Sequence, residues 1–160
     1  MDKARLREAI IEKLQAELDN LTRAALLAHD EATHEESKPE NKYDTHSQEA
    51  AYLAEGQARL ATELHESIAL YRNLTMHDFS TGQAATLGAV VTLESSGRRW
   101  RYFLGPRNGG LEIDCGGLEL IVITPQSPMG RLLFGRRVGD VIINQASAGR
   151  SLKQNIVSVE

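Results

Sequence analysis

The opening of the chain constrains the fold most, because it contains neither glycine nor proline and carries a regular apolar pattern. Its apolar residues follow one another at steps of three and four: Ile11, Leu14, Leu18, Leu21, Ala25 and Ala28. This spacing is typical of the a and d positions of a coiled coil. Ala4 and Arg7 continue the register backwards, with the stem of Arg7 expected along the seam. We therefore predict a long first helix that runs from residue 2 to about residue 31.

A second seam with the same spacing follows a polar stretch. Its members are Ala50, Leu53, Gln57, Leu60, Leu64, Ser67, Tyr71 and Leu74. Two such seams of similar length indicate an antiparallel helical hairpin. Pro39 disfavours helix at the residue before it, so the first helix should end by about Ser37. The second helix begins either at Pro39, with Ser37 as its cap, or after Asp44 or Thr45, and the residues favour neither alternative.

Charge is distributed unevenly between the two halves of the chain. The net charge is −4 overall, but residues 1–75 carry −6 and residues 76–160 carry +2. Within the first half, residues 30–49 hold seven carboxylates and only two lysines. This division indicates one anionic and one mildly basic surface. A solvated acidic loop is the alternative explanation.

The pattern changes after Leu74 to short apolar runs between glycine-rich turns. We predict strands at residues 89–93, 100–104, 118–123, 141–143 and 154–159, and one short helix at residues 130–135. These elements indicate a small antiparallel sheet with a helix on one face. The predicted class is α+β, with a coiled-coil hairpin at residues 1–75, a sheet domain at residues 76–160, and a boundary near residues 75–86.

Several classes of protein are excluded by what the sequence lacks. No apolar run approaches the roughly 20 residues needed to span a bilayer, and the charged opening is unlike a signal peptide. Cys115 is alone, so it has no partner for an internal disulfide and belongs to no thiolate set for zinc. We expect a cytoplasmic protein that has no membrane partner.

Three segments carry a resemblance to a known family. They are Ser127-Pro-Met-Gly-Arg-Leu-Leu-Phe-Gly-Arg-Arg-Val-Gly-Asp, Val90-Val-Thr-Leu-Glu and Arg101-Tyr-Phe-Leu-Gly-Pro. In composition and spacing they resemble the C-terminal domain of the GreA/GreB transcript-cleavage factors. The likeness covers residues 88–160, and the family architecture includes a hairpin like that predicted for residues 1–75.

The resemblance implies a function in bacterial transcription. Factors of this type bind RNA polymerase, insert the coiled coil into its secondary channel and hold the channel rim with an FKBP-like domain. They are accessory factors and not enzymes, because carboxylates at the hairpin tip assist Mg²⁺ at the polymerase's own active centre, where backtracked RNA is cleaved. The polymerase-binding residues that the resemblance implies are Ser127, Pro128, Met129, Gly130 and Arg131.

At the tip the correspondence with the family is partial. The family has Asp-x-x-Glu-Asn followed closely by Tyr, and this chain has Glu40-Asn41 with Tyr43 one residue early. Ser37 stands where the family has Asp. Glu36 is a substitute whose direction on a helix differs by about 100°, and Asp44 is another. The predicted cleavage-assisting residues are therefore Glu40, Glu36 and Asp44, with Glu40 and Glu36 toward Mg²⁺. The alternative is a secondary-channel regulator that does not promote cleavage.

Other interpretations depend on weaker patterns. His29, His34 and His46 lie near the tip carboxylates, but histidines at such a spacing are more often solvated than bound to metal. Arginines at two places could contact polymerase carboxylates or the 3′ end of the RNA: Arg98, Arg99, Arg101, Arg131, Arg136 and Arg137. Prolyl isomerase activity would need an aromatic-lined pocket, which eight aromatic residues disfavour. A structural coiled-coil adaptor is the remaining alternative, and no direct binding of DNA is expected.

Overall fold

The structure is a computed structural model, which describes residues 2–33, 45–80, 82–146 and 150–160. Two long helices come first, α1 at Lys3–Thr33 and α2 at Thr45–Asn73. They are followed by strands β1 (Val90–Ser95), β2 (Arg98–Leu104), β3 (Glu112–Asp114) and β4 (Glu119–Ile123), helix α3 (Pro128–Leu133), and strands β5 (Val141–Ala146) and β6 (Arg150–Val159). The predicted class, a helical hairpin followed by a small sheet domain with a short helix, is confirmed.

The chain forms two compact units, which we call the hairpin unit (Ile11–Ala69) and the sheet unit (Met1–Ile10 with Leu70–Glu160). The first turns of α1 and the last turn of α2 thus belong with the sheet. In the described part of the chain, no helix is both long and apolar enough to cross a membrane.

The sheet has six strands in the order β3-β4-β2-β1-β6-β5. All neighbouring strands are antiparallel except β2 and β4, which pair in parallel, with Tyr102 opposite Ile121. The sequence pattern predicted neither this pair nor strand β3. Strand β3 is only three residues long and runs antiparallel to β4. The chain reverses between β3 and β4, so that β4 runs in the same direction as β2. The short edge strand therefore determines the one parallel pair.

One hydrophobic cluster of the sheet unit lies between one face of the sheet and α3. Strand residues alternate between faces, and the inward set packs around Leu133 of the helix. Its buried strand members are Val91, Leu93, Leu104, Ile123, Ile142, Ile156 and Val159. Cys115, predicted to be a turn or strand residue, is buried immediately after β3.

In the sheet unit, the start of α1 is held by a buried lysine. The ammonium group of Lys3 donates hydrogen bonds to the backbone carbonyls of His77 and Gly88, the second at 3.2 Å. It also lies 4.4 Å from the centre of the Phe79 ring. Burial lowers the pKa of Lys3, and the nearby carboxylates of Asp78 and Glu160 oppose that shift. Two carbonyls and a ring thus satisfy the charge at the first turn of the helix.

The predicted seams are partly confirmed. Leu14, Leu18, Leu64 and Ser67 are buried as expected. The backward extension of the first seam through Ala4 and Arg7 was wrong, because Ala4 is exposed and Arg7 is only half-buried, whereas Leu6 and Ile10 are buried. From Leu6 to Leu18, α1 buries every fourth residue, whereas the heptad alternates steps of three and four. The seam prediction was also wrong for Leu53 and Leu60, which are exposed.

Candidate functional site

The candidate site is the surface around α3, which contains the residues that the resemblance assigns to polymerase binding. Strand β4 ends at Ile123, and the turn Thr124-Pro-Gln leads directly to Ser127. Ser127 is the N-cap of α3, and Pro128 occupies the first turn, where the missing N–H of proline costs nothing. The turn residues therefore start the helix at a defined point.

Ser127 holds this turn together with both functions of its hydroxyl group. Its Oγ accepts a hydrogen bond from the N–H of Gly130 at 3.1 Å and donates one to the carbonyl of Thr124 at 2.8 Å. The backbone N–H of Ser127 donates to the same carbonyl at 2.9 Å. Ser127 thus fixes the start of α3 to the end of the preceding strand.

Gly130 allows the helix to pass directly over that turn. A Cβ atom at this position would lie 1.8 Å from the carbonyl oxygen of Thr124 and 2.7 Å from its carbonyl carbon. Both are backbone atoms, so they have little freedom to move. Gly130 is buried, and its place in the Ser-Pro-Met-Gly segment follows from this close approach.

The remaining predicted residues differ in exposure. Pro128 and Arg131 are exposed, while Met129 is half-buried and packs against the core. Of the five residues assigned to polymerase binding, Ser127 and Gly130 therefore shape the surface, and Pro128 and Arg131 are available to a partner. The predicted helix, residues 130–135, starts two residues earlier in the structure because Pro128 is compatible with its first turn.

Sequence reasoning missed two exposed apolar side chains at this surface. Phe134, the C-cap of α3, is 45% exposed, and Val138 is also exposed. An apolar residue in a helical run is normally assigned to the core, so the pattern gave no indication of exposure. Position was the available indication of exposure, since Phe134 follows Arg131 by three residues, and residues at this spacing are neighbours on one helix face.

The loop after α3 is tied to the segment before β1. Gly135 donates to the carbonyl of Ala85, and Ala85 donates to the carbonyl of Arg136, both at 2.7 Å. The Arg137 guanidinium donates to the carbonyl of Gly82 at 2.9 Å. In the described part of the chain, neither Arg131 nor Arg136 has a hydrogen bond or ion pair to its side chain. We call the exposed set Pro128, Arg131, Phe134, Arg136 and Val138 the α3 surface.

The second group of arginines lies on β2. Arg98 is stacked over the ring of Trp100 at 5.4 Å, and Arg99 pairs with Glu94 at 2.8 Å. Arg101 lines a cleft of about 360 Å³, which also contains the carboxylate of Glu160. This cleft has mixed charge, and two of the three arginines already have partners within the sheet.

The predicted tip residues Glu36, Glu40 and Asp44 lie outside the described residues, as do Ser37 and His34. The side chains of His29 and His46 are also outside the described part. Among the residues whose positions are described, no group of three or more His, Cys, Asp or Glu side chains is arranged to hold a metal ion. The Mg²⁺ assignment therefore stays a prediction.

Residues 80–160 match the sequence model of the family described as "Transcription elongation factor, GreA/GreB, C-term". The match spans half of the chain and includes α3 and every strand. The protein belongs to the GreA/GreB family of transcription elongation factors. Members of this family are accessory factors of RNA polymerase, so membership implies polymerase as the binding partner.

Several solved structures match the chain at low sequence identity. The Thermus aquaticus Gfh1 structure is 22% identical, covers 95% of this chain and 94% of its own, and has a TM-score of 0.42. GreA factor homolog 1 of Thermus thermophilus is 21% identical with 94% of both chains covered and a TM-score of 0.40. A GreA/GreB factor from Nitrosomonas europaea is 23% identical over 60% of this chain and 78% of its own, with a TM-score of 0.39. No curated protein matches the chain.

Proposed function

We propose that the protein binds bacterial RNA polymerase through the α3 surface and places its hairpin tip in the secondary channel. The observation that carries this proposal is the exposed Phe134 with Arg131 and Arg136, inside the segment that matches the family. Aromatic and arginine side chains are the residues most often found at the energetic centre of protein interfaces. Ser127 and Gly130 hold α3 in place, and the loop that contains Arg136 is tied to Ala85, so these side chains require little rearrangement on binding.

The finer proposal concerns the tip. Glu40, together with Glu36 or Asp44, would approach the active centre of the polymerase and the 3′ end of the backtracked RNA. Carboxylate oxygens are the ligands that Mg²⁺ prefers, and one or two are enough when other groups complete the site. These carboxylates would help to hold one Mg²⁺ of a two-metal site, in which one ion would activate the attacking water and the other would stabilise the leaving oxygen. The chain supplies only carboxylates, so it acts as an accessory factor.

A second candidate function is regulation of the channel without cleavage. Ser37 stands where the family has Asp, so the tip has one carboxylate fewer at the family's spacing than a cleavage-promoting tip. A hairpin of that kind would occupy the channel and exclude other factors. Both functions use the same α3 surface, and they differ only in what the tip does.

The experiment that separates them uses stalled, backtracked elongation complexes. If the finer proposal is correct, the protein accelerates release of the RNA 3′ fragment, and Glu40→Ala lowers the rate by about 10²-fold without weakening polymerase binding. Glu12→Ala, an exposed change on α1 away from the tip, serves as the matched control and should leave the rate unchanged. Tight binding with no acceleration by the wild-type protein would favour the regulator.

A further inference from the structure

The hairpin unit contains an apolar groove that the proposed function does not use. It lies between α1 and α2, has a volume of about 550 Å³, and is lined by residues of 21–28 and 53–61. Five of these lining residues are alanines, and none carries a charge. Because all of them lie within Ile11–Ala69, the groove belongs to one compact unit.

Two leucines at the groove are left without the burial that apolar side chains usually have. Leu26 and Leu53 are each 60% exposed, although Leu53 occupies a coiled-coil seam position. Exposed leucine at a concave apolar site is unfavourable in water by about 25 cal/mol per Å² of accessible apolar surface. An apolar partner would therefore gain free energy by covering this groove.

The small side chains at the groove determine the shape of what fits there. Ala25 and Ala58 leave the two helix backbones open to close approach, with leucines at the sides. A third helix packs in such a position at the usual interaxial distance of about 8–10 Å. An amphipathic helix would place its apolar residues at i, i+3, i+4 and i+7 against the alanines and leucines.

Charge determines which kind of helix fits. The hairpin unit holds thirteen Asp and Glu against five Lys and Arg, a net charge of −8. Asp19 lies one turn before the lining residue Thr22 on α1, and Glu55 lies one turn before the lining residue Ala58 on α2. Both are exposed, and Asp19 accepts a hydrogen bond from Gln15 of the same helix. Glu55 has no hydrogen bond or ion pair with any residue that the structure describes. A second copy of this acidic hairpin would be repelled, whereas a basic helix would be attracted.

We propose that this groove binds a basic amphipathic helix of a partner protein. The apolar stripe of the helix covers Leu26 and Leu53, and its lysines and arginines face Asp19 and Glu55. The groove is a different surface from the α3 surface, and its binding of a helix is tested on the protein alone, so the proposal does not depend on polymerase binding.

The test uses the full-length protein and a fluorescent synthetic peptide of about 18 residues, with leucine at one helical face and lysine elsewhere. We expect it to bind at least about tenfold more tightly than a scrambled peptide of identical composition, which cannot present an apolar face. A twin peptide with glutamate in place of lysine should not bind measurably. Equal binding of the ordered and scrambled peptides would overturn the proposal, because it would indicate charge attraction alone.

Neighbouring residues provide matched controls for the groove itself. Leu27 is as exposed as Leu26, Tyr52 is more exposed than Leu53, and neither Leu27 nor Tyr52 lines the groove. Leu26→Ser and Leu53→Ser should each weaken peptide binding by about tenfold, while Leu27→Ser and Tyr52→Ser should change it by less than about twofold. Circular dichroism checks that all four variants keep their helix content. Equal effects of the four substitutions, or self-association of the wild-type protein that Leu26→Ser abolishes, would contradict the proposal.

Discussion

At Gly130, one missing side chain determines how α3 meets the strand before it. The carbonyl oxygen of Thr124 occupies the space that a Cβ would need, at 1.8 Å. Gly130→Ala must therefore displace backbone atoms, and we expect a loss of about 3 kcal/mol in the free energy of unfolding of the sheet unit. Trp100 is the only tryptophan and lies on β2, so urea unfolding followed by its fluorescence measures this unit.

Gly56 is the matched glycine for that comparison. It lies within α2, and an added Cβ would have nothing within 4 Å. Gly56→Ala should therefore raise helix stability by about 1 kcal/mol, because alanine loses less backbone entropy than glycine in a helix. Far-UV circular dichroism during thermal unfolding measures the change. Equal effects of the two glycine-to-alanine substitutions would contradict the close backbone approach at Gly130.

At Ser127, two substitutions separate the effect of the hydroxyl group from the effect of side-chain size. Ser127→Ala removes both hydrogen bonds of the hydroxyl group and should lower the free energy of unfolding by about 1–2 kcal/mol. Ser127→Thr keeps a hydroxyl that can donate and accept, so it should cost much less. The same urea titration measures both variants. If the threonine variant were as unstable as the alanine variant, the added methyl group would cancel any gain from the hydroxyl group. The stabilising role of Ser127 as the cap of α3 would then lack support.

Among the elements, α2 is attached to the sheet unit through its last turn. The Tyr71 hydroxyl is buried and donates to the carbonyl of Arg107 at 2.6 Å. A Cβ on Gly105 would lie 2.4 Å from this hydroxyl, so glycine makes room for it. The tyrosine was predicted as a seam residue, but its bond to the loop between β2 and β3 depends on a contact 36 residues away, which no local pattern contains.

Tyr71 predicts a specific pH dependence of stability. Burial raises the pKa of its phenol above the ordinary value. Because the folded pKa is raised, the stabilising contribution is complete below the unfolded pKa of about 10 and is lost as the pH rises above it. Tyr71→Phe should be less stable than wild type near pH 7, and the difference should shrink at about pH 11. Urea unfolding at the two pH values measures this.

Tyr52→Phe is the control for that experiment, since Tyr52 is 74% exposed. It should leave stability unchanged at both pH values. If the difference between wild type and Tyr71→Phe stayed constant with pH, the phenol of Tyr71 would not be buried in its neutral form.

The sequence predicts a helix or strand well when the residues that determine it lie close together in the chain. All three helices and five of the six strands were predicted, because heptad spacing and apolar runs are local patterns. Strand β3 was missed, since Glu112-Ile-Asp is too short to show alternation. The role of Leu6 and Ile10 was missed because the start of α1 belongs with the sheet unit and so departs from the heptad spacing. The Ser-Pro-Met-Gly segment indicated the candidate site, but the exposure of Phe134 depends on how the loop after α3 is held.

On the scale of the whole molecule, the two units carry different surfaces. The acidic residues concentrate in the hairpin unit, and Arg131 and Arg136 lie on the α3 surface of the sheet unit. Polymerase binding through the α3 surface should therefore weaken as salt rises, and substitution of Arg131 should reduce that dependence. The apolar part of the surface, Phe134, should contribute affinity that salt does not screen.

The most direct test of the central claim is the affinity of the protein for purified bacterial RNA polymerase, measured for matched pairs of variants. We expect Phe134→Ala and Arg131→Glu each to weaken binding by at least about tenfold. Leu118→Ala and Lys153→Glu, which make similar changes at exposed residues outside the α3 surface, should leave the affinity within about twofold of wild type. Failure of the wild-type protein to bind polymerase, or equal binding by all four variants, would contradict the assignment of the α3 surface as the polymerase-binding surface.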